Sequence, residues 1–226
     1  MIISVVVAHP DDEVLGCGGT IARLTQEKNL VYITILGEGI TSRYPGRNEA
    51  NADLVQQLRA QSREVAHILG ATDIFFHDLP DNRFDTLPLL DVVKIIEESV
   101  ERLHPDVIYT NHMGDLNIDH QITGRAVLTA TRPTPGQSVR DIYCFEVPSS
   151  TEWGFQRIGP PFQPSVFVDI SATIGVKIQA MGKYVGESRP FPHPRSPEAL
   201  QAIARRWGSV AGVTDAEAFE LIRSIR

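Results

Sequence analysis

The chain opens with Ile2, Ile3, Ser4, Val5, Val6 and Val7, an apolar and mostly β-branched run without polar alternation. Such a run predicts a parallel strand buried on both faces. Val14 to Gln26, with Leu15, Ile21, Ala22 and Leu24, predicts a helix, and Leu30 to Leu36 a second strand. Leu54 to Leu69 repeats the helical spacing at Leu58, Val65, Ala66 and Ile68 before Gly70 stops it, and Thr72 to Phe76 reads as a third strand. Leu87 to Leu103 is a further helix and Asp106 to Thr110 a fourth strand. Beyond these, Ile122 to Thr131 reads as helix, Asp141 to Val147 and Ser165 to Ile170 as strands, and Ser171 to Val185 and Pro197 to Ala211 as helices. The stretches 37–49, 149–164 and 189–197 read as loops.

Strands alternating with helices of this length predict an α/β fold: a single-domain, Rossmann-like, mostly parallel sheet with helices on both faces and right-handed crossovers. A doubly wound sheet places its first four strands in the order 3-2-1-4, and ligands bind outside the carboxyl ends where the order reverses, between strands 1 and 4. One domain spanning residues 1–226 is ample for a single core.

Composition narrows the partners. A net charge of −7 supplies no basic face for nucleic acid or an anionic membrane surface. No stretch reaches the roughly 20 apolar residues of a membrane span. The start lacks a basic leader and the two cysteines, Cys17 and Cys144, make no disulfide framework, so a cytoplasmic location is expected. The sequence neither requires nor forbids self-association as a homo-oligomer.

Chemistry is concentrated where strand 1 stops. Ala8-His9-Pro10-Asp11-Asp12-Glu13 packs an imidazole and three carboxylates into six positions. Burying mutually repelling carboxylates unpaired costs several kcal/mol, so a bound cation is the natural compensation. After strand 4 comes a second polar cluster, Asn111, His112, Gly114, Asp115, Asn117, Asp119 and His120, which the expected topology brings to the same crevice. His9, Asp12 and His120 offer the nitrogen and carboxylate donors of a hydrolytic zinc site, and Fe2+ suits the same donors. Asp11, turned elsewhere by Pro10, is placed to act as general base, and Asp119 to orient an imidazole or the base. Gly16-Cys17-Gly18-Gly19-Thr20 is not a Gly-x-Gly-x-x-Gly fingerprint and reads instead as close helix packing. Arg43 and Arg47, in the loop after strand 2, are candidates for a phosphate on the substrate and are not ranked by the sequence.

Ala8 to Glu13, the following Gly16, Gly18, Gly19 and Thr20, and Asn117-Ile118-Asp119-His120 together resemble the LmbE-like (PIG-L type) zinc-dependent N-acetylglucosamine deacetylases. The resemblance extends to His193-Pro194-Arg195-Ser196 and Ala216-Glu217-Ala218-Phe219. It implies zinc at His9, Asp12 and His120, Asp11 as base, and removal of an acetyl group from a small N-acetylated sugar conjugate. Many members carry His-Pro-Asp-His where this chain has Asn117-Ile118-Asp119-His120; that first His is thought to polarise the oxyanion. Asn117 can donate a hydrogen bond but carries no charge. His112 and His193 are the candidates to replace the missing imidazole. Glu13 is a candidate to hydrogen-bond substrate or support its loop, and Arg59 resembles a family arginine that reaches the substrate. The alternative function is a non-catalytic Rossmann-like sugar- or nucleotide-binding module.

Overall fold

A computed structural model describes residues 1–226. Seven strands form one sheet in the order β3-β2-β1-β4-β5-β7-β6. They are β1 (Ile2–Val7), β2 (Leu30–Gly37), β3 (Asp73–Leu79), β4 (Val107–Asn111), β5 (Asp141–Phe145), β6 (Val166–Asp169) and β7 (Ala216–Arg223). The helices are α1 (Asp12–Gln26), α2 (Ala52–Leu69), α3 (Leu89–Leu103), α4 (Ile118–Ala130), α5 (Ile174–Met181) and α6 (Pro197–Ala211). The expected 3-2-1-4 order and the parallel pairing of these strands are both present.

The unbroken apolar run of β1 has a direct cause. Ile3, Val5 and Val7 face a core shared with α1, α2 and α5, whereas Val6 and Ala8 face a separate core under α3 and α4. Both faces are covered, so both are apolar apart from the buried Ser4. Asn51 caps α2 by accepting from the Asp53 amide, and Gly70 ends it in the left-handed region.

Some bounds differ from the expectation, α4 starting at Ile118 and not at Ile122 and α5 covering only Ile174–Met181 of 171–185, and two features depart further. The last strand, β7, was not legible; it runs antiparallel between β5 and β6. Its Ala-Glu-Ala start has the propensity of a helix, and the buried Glu217 breaks the apolar alternation. Second, α1 begins at Asp12, two residues earlier than expected, and breaks at Cys17, whose φ is −144°. The glycines around the break do serve packing. A Cβ on Gly16 would lie 2.0 Å from the Phe145 ring, and one on Gly19 would lie 2.8 Å from Ile170.

Candidate metal centre and active site

The carboxyl ends of β1 and β4 are tied together before any ligand is considered. The Ala8 amide donates to Asn111 Oδ1 at 3.0 Å, and Asn111 Nδ2 donates to Asp12 Oδ2 at 3.1 Å. The chain then turns sharply: Asp11 takes φ 99°, a conformation that costs energy for a non-glycine residue and is held here by its neighbours. The turn sets Asp12 into the first turn of α1, where its carboxylate also accepts from the His9 amide at 3.0 Å.

His9, Asp12 and His120 converge. His9 Nδ1 lies 3.3 Å from His120 Nε2, His120 Nε2 lies 3.3 Å from Asp12 Oδ2, and His9 Nδ1 lies 3.8 Å from Asp12 Oδ2. Ligand atoms about 2.0–2.1 Å from a tetrahedral zinc stand about 3.3 Å apart, so the spacing fits one ion of that kind. The remaining nitrogen of each imidazole faces a buried carboxylate. His9 Nε2 is 3.0 Å from Asp119 Oδ2, and His120 Nδ1 is 3.2 Å from Asp115 Oδ2. Such pairings fix the tautomer and orientation of metal-binding histidines. Asp119 is itself held by the Asn82 and Phe84 amides at 2.6 and 2.9 Å, and Asp115 by the hydroxyls of Ser150 and Thr151.

His9, Asp81 and Asp119 form a second cluster of potential ligands on the other side of the same imidazole. Its carboxylates, like Asp12, are hydrogen-bonded by the chain, and it differs in its donors, one imidazole and two carboxylates. Asp81 accepts from the Ser42 amide at 2.9 Å and from Asn82 Nδ2 at 3.1 Å, and Asp119 accepts from two amides. The first cluster instead points two imidazole nitrogens and a carboxylate oxygen at one spot.

The charges at the first cluster act strongly on one another. Burial opposes protonation of His120, yet the Asp12 and Asp115 carboxylates around it override that and push it up to about 10. For Asp12 burial acts upward, but His120 and His9 outweigh it and hold its carboxyl well below the usual range. The site draws in positive charge. A divalent cation would meet that demand and release a proton from His120 as it bound.

Asp11 is 2% exposed and borders the same cavity of about 220 Å³, which is lined also by Asn117, Asp81 and Arg43. Its Oδ2 accepts from Arg195 Nη1 at 2.6 Å. Burial pushes its carboxyl up to about 7, against the Arg195 guanidinium that pulls it down. A carboxyl poised near neutrality suits proton transfer in both directions.

Other residues singled out in the sequence fall elsewhere. Glu13 is fully buried beneath the turn, where it accepts from the Tyr184 hydroxyl at 2.5 Å and the Asp11 amide at 3.1 Å; it supports the loop and does not line the cavity. Arg59 points to the sheet edge, paired with Asp78 and 5.5 Å over the Phe76 ring, away from the cavity. His112 sits in a separate cavity, with Nδ1 2.8 Å from Glu220 and Nε2 3.0 Å from the Pro160 carbonyl, and so is not placed to replace the missing imidazole. His193 borders only an adjoining compartment at the mouth. Asn117 does line the cavity: Oδ1 caps α4 through the Asp119 amide at 2.9 Å, which leaves Nδ2 for the cavity. Arg43 and Arg47 are now distinguished, since Arg43 lines the cavity and Arg47 is bound to Glu38. Sequence reasoning gave no role to Asp115, Asn111, Arg195 or Glu187. The first two stood in the polar cluster after β4, but nothing in the order of residues showed which partner each would meet.

Residues 4–131 match the family described as PIG-L, GlcNAc-PI de-N-acetylase. The chain belongs to this family, and its enzyme class is that of the N-deacetylases. A probable N-acetyl-alpha-D-glucosaminyl L-malate deacetylase 2 of Bacillus cereus is 26% identical over 185 residues, covering 80% of this chain and 81% of that protein. The diacetylchitobiose deacetylase of Thermococcus kodakarensis is 27% identical over 232 residues, covering 96% and 81%. Among solved structures, GalB, the 4-carboxy-2-hydroxymuconate hydratase of Pseudomonas putida, superposes with a TM-score of 0.78 at 21% identity over 100% of this chain and 98% of its own. That likeness is one of fold, and it makes the side chains of the site, not the architecture, the basis for assigning chemistry.

Proposed function

We propose that this protein hydrolyses the acetamide of an N-acetylated amino-sugar conjugate, releasing acetate and a free amine, with a divalent ion held by His9, Asp12 and His120. The observation that supports this most is the convergence of those three ligand atoms beside a buried carboxylate, Asp11, in one cavity. Zinc or iron(II) bound there would polarise an amide carbonyl and lower the pKa of a water molecule.

The chain's own groups supply the rest. Asp11 takes a proton from the attacking water and later passes it to the departing amine nitrogen, which leaves as a neutral amine. Arg195 holds the Asp11 carboxylate and Glu13 holds the Asp11 amide, so the strained turn keeps its direction. Asn117 Nδ2 donates to the carbonyl oxygen as negative charge builds on it, a weaker aid than an imidazolium. Asp119 and Asp115 keep the two histidines in the tautomers that leave a lone pair free.

The test is direct. Protein loaded with Zn2+ or Fe2+ and given N-acetylglucosamine conjugates should yield acetate and primary amine in equal amounts, and a chelator should stop both. Metal-loaded, folded protein that releases no acetate from any N-acetylhexosamine conjugate would remove the proposal.

A further inference from the structure

The metal cavity does not end at Asp11. Its mouth opens into a second compartment of about 210 Å³, and the two share Arg43, Ser149, Glu187 and Arg195 as a common wall. The outer wall is made by Trp153, Arg189 and His193. In a chain of net charge −7, three guanidinium groups thus border one small space whose lining includes a single carboxylate, Glu187.

That carboxylate is already committed. Glu187 accepts from Arg43 Nη2 at 2.5 and 2.6 Å and from Arg195 Nη1 at 3.1 Å, and Arg195 Nη1 is further occupied by Asp11 at 2.6 Å. Arg189 is exposed at the rim and has no ion-pair partner. His193 registers the local field: burial first, then Arg195 and Arg189, hold its imidazole below the ordinary value. Beside it stands Trp153, 43% exposed, with its ring 5.7 Å from that of His193. Excess positive charge next to an open aromatic face suits a ligand that has a flat or apolar side and an anionic group.

Resting on the deacetylase reading above, we infer that the substrate bears an anionic group, a carboxylate or a phosphate, on the substituent at the anomeric carbon of its sugar, and that Arg189, together with Arg43, receives it beside Trp153. The loops that carry these residues lie far apart in sequence, at 43, 153 and 189, so the site exists only in the folded chain.

Three conjugates of N-acetylglucosamine decide the matter: the 1-phosphate, a carboxymethyl glycoside and the neutral methyl glycoside. We expect kcat/KM to favour one or both anionic conjugates by about tenfold over the methyl glycoside, the scale of one charge-assisted hydrogen bond, with the advantage shrinking as salt is raised. Comparison of the first two arms tells phosphate from carboxylate. Arg189→Ala should cut the anionic-to-neutral ratio at least about threefold, and a circular dichroism spectrum like that of the parent would show that the variant is folded. Calorimetric binding of the corresponding free-amine products supplies a readout independent of turnover, and the same preference is expected there. Equal handling of all three conjugates alongside robust acetate release would overturn the anionic subsite and leave the deacetylase intact. Absence of acetate from every conjugate would count against the deacetylase, and the product-binding preference would still decide the subsite.

Discussion

Two buried clusters of charge flank α1, and they are built on opposite principles. Behind the break in the helix, Glu217 accepts from the Gly19 and Thr20 amides at 3.0 and 2.7 Å and from Lys177 Nζ at 2.6 Å, while Lys177 also donates to the Leu15 carbonyl at 2.8 Å. Charge cancels charge, and the freed amides of the second half of the helix are capped. In front of the helix, Asp12, Asp115 and Asp119 surround His9 and His120, and the guanidinium groups on the cavity wall are committed elsewhere, Arg195 to Asp11 and Glu187 and Arg43 to Glu187. The rear cluster is complete within the chain; the front one lacks positive charge. A structural ion pair closes its own account, whereas a site for a metal ion is left with a deficit that the ion fills.

The sharpest way to break this contrast is at Asp11. Asp11→Asn keeps the shape of the turn but removes the proton carrier, so kcat should fall by about 10²–10⁴-fold while bound metal per chain stays unchanged. Metal lost together with activity would instead make Asp11 part of the ion's support. At the rear cluster, Lys177→Met strands Glu217 without its cation and should destabilise the fold by about 3–5 kcal/mol in urea unfolding. Adding Glu217→Gln should recover much of that loss, and no recovery would mean that the pair acts through packing alone. For the front cluster the sign reverses, since saturating Zn2+ at about 100 times its dissociation constant should add about 2.7 kcal/mol of stability. An unmoved unfolding midpoint would contradict the deficit.

The smallest effect concerns His112, which lies outside both clusters. Burial lowers its pKa, but the hydrogen bond and charge of Glu220 outweigh that and raise it above 6.5. The same contact outweighs the burial of Glu220 and lowers its carboxyl below 4.5. The stability from His112 is whole below pH 6.5 and is lost as pH rises through its raised value; that from Glu220 is whole above pH 4.5 and is lost as pH falls through its lowered value. Glu220→Gln should therefore cost under about 1 kcal/mol, and only around pH 5 to 6, with a loss that persists at high pH pointing to some other role.

How much of this was legible in the sequence follows from which forces act locally. The order of the first four strands could be read, because β1 is apolar on both faces and the alternation with helices imposes parallel crossovers. The two polar clusters could be assigned to one crevice for the same topological reason. What escaped was anything decided by contact across distant segments. Nothing near Glu217 in sequence announces Lys177, so a buried glutamate in an Ala-rich segment concealed β7. Likewise Arg195 reaches Asp11 across 184 positions, and Asp115 meets His120 only because α4 starts where it does. In the sequence His112 is a candidate for the imidazole missing at Asn117, yet it leaves the strand on the side facing Glu220 and Phe162.

Everything turns on which side of His9 the ion occupies. Crystals of the metal-loaded protein, measured for anomalous scattering at the zinc edge, should show one peak bonded to His9 Nδ1, the Asp12 carboxylate and His120 Nε2. A peak on the Nε2 side of His9, between Asp81 and Asp119, or a metal-binding protein with no peak near His120, would contradict the account.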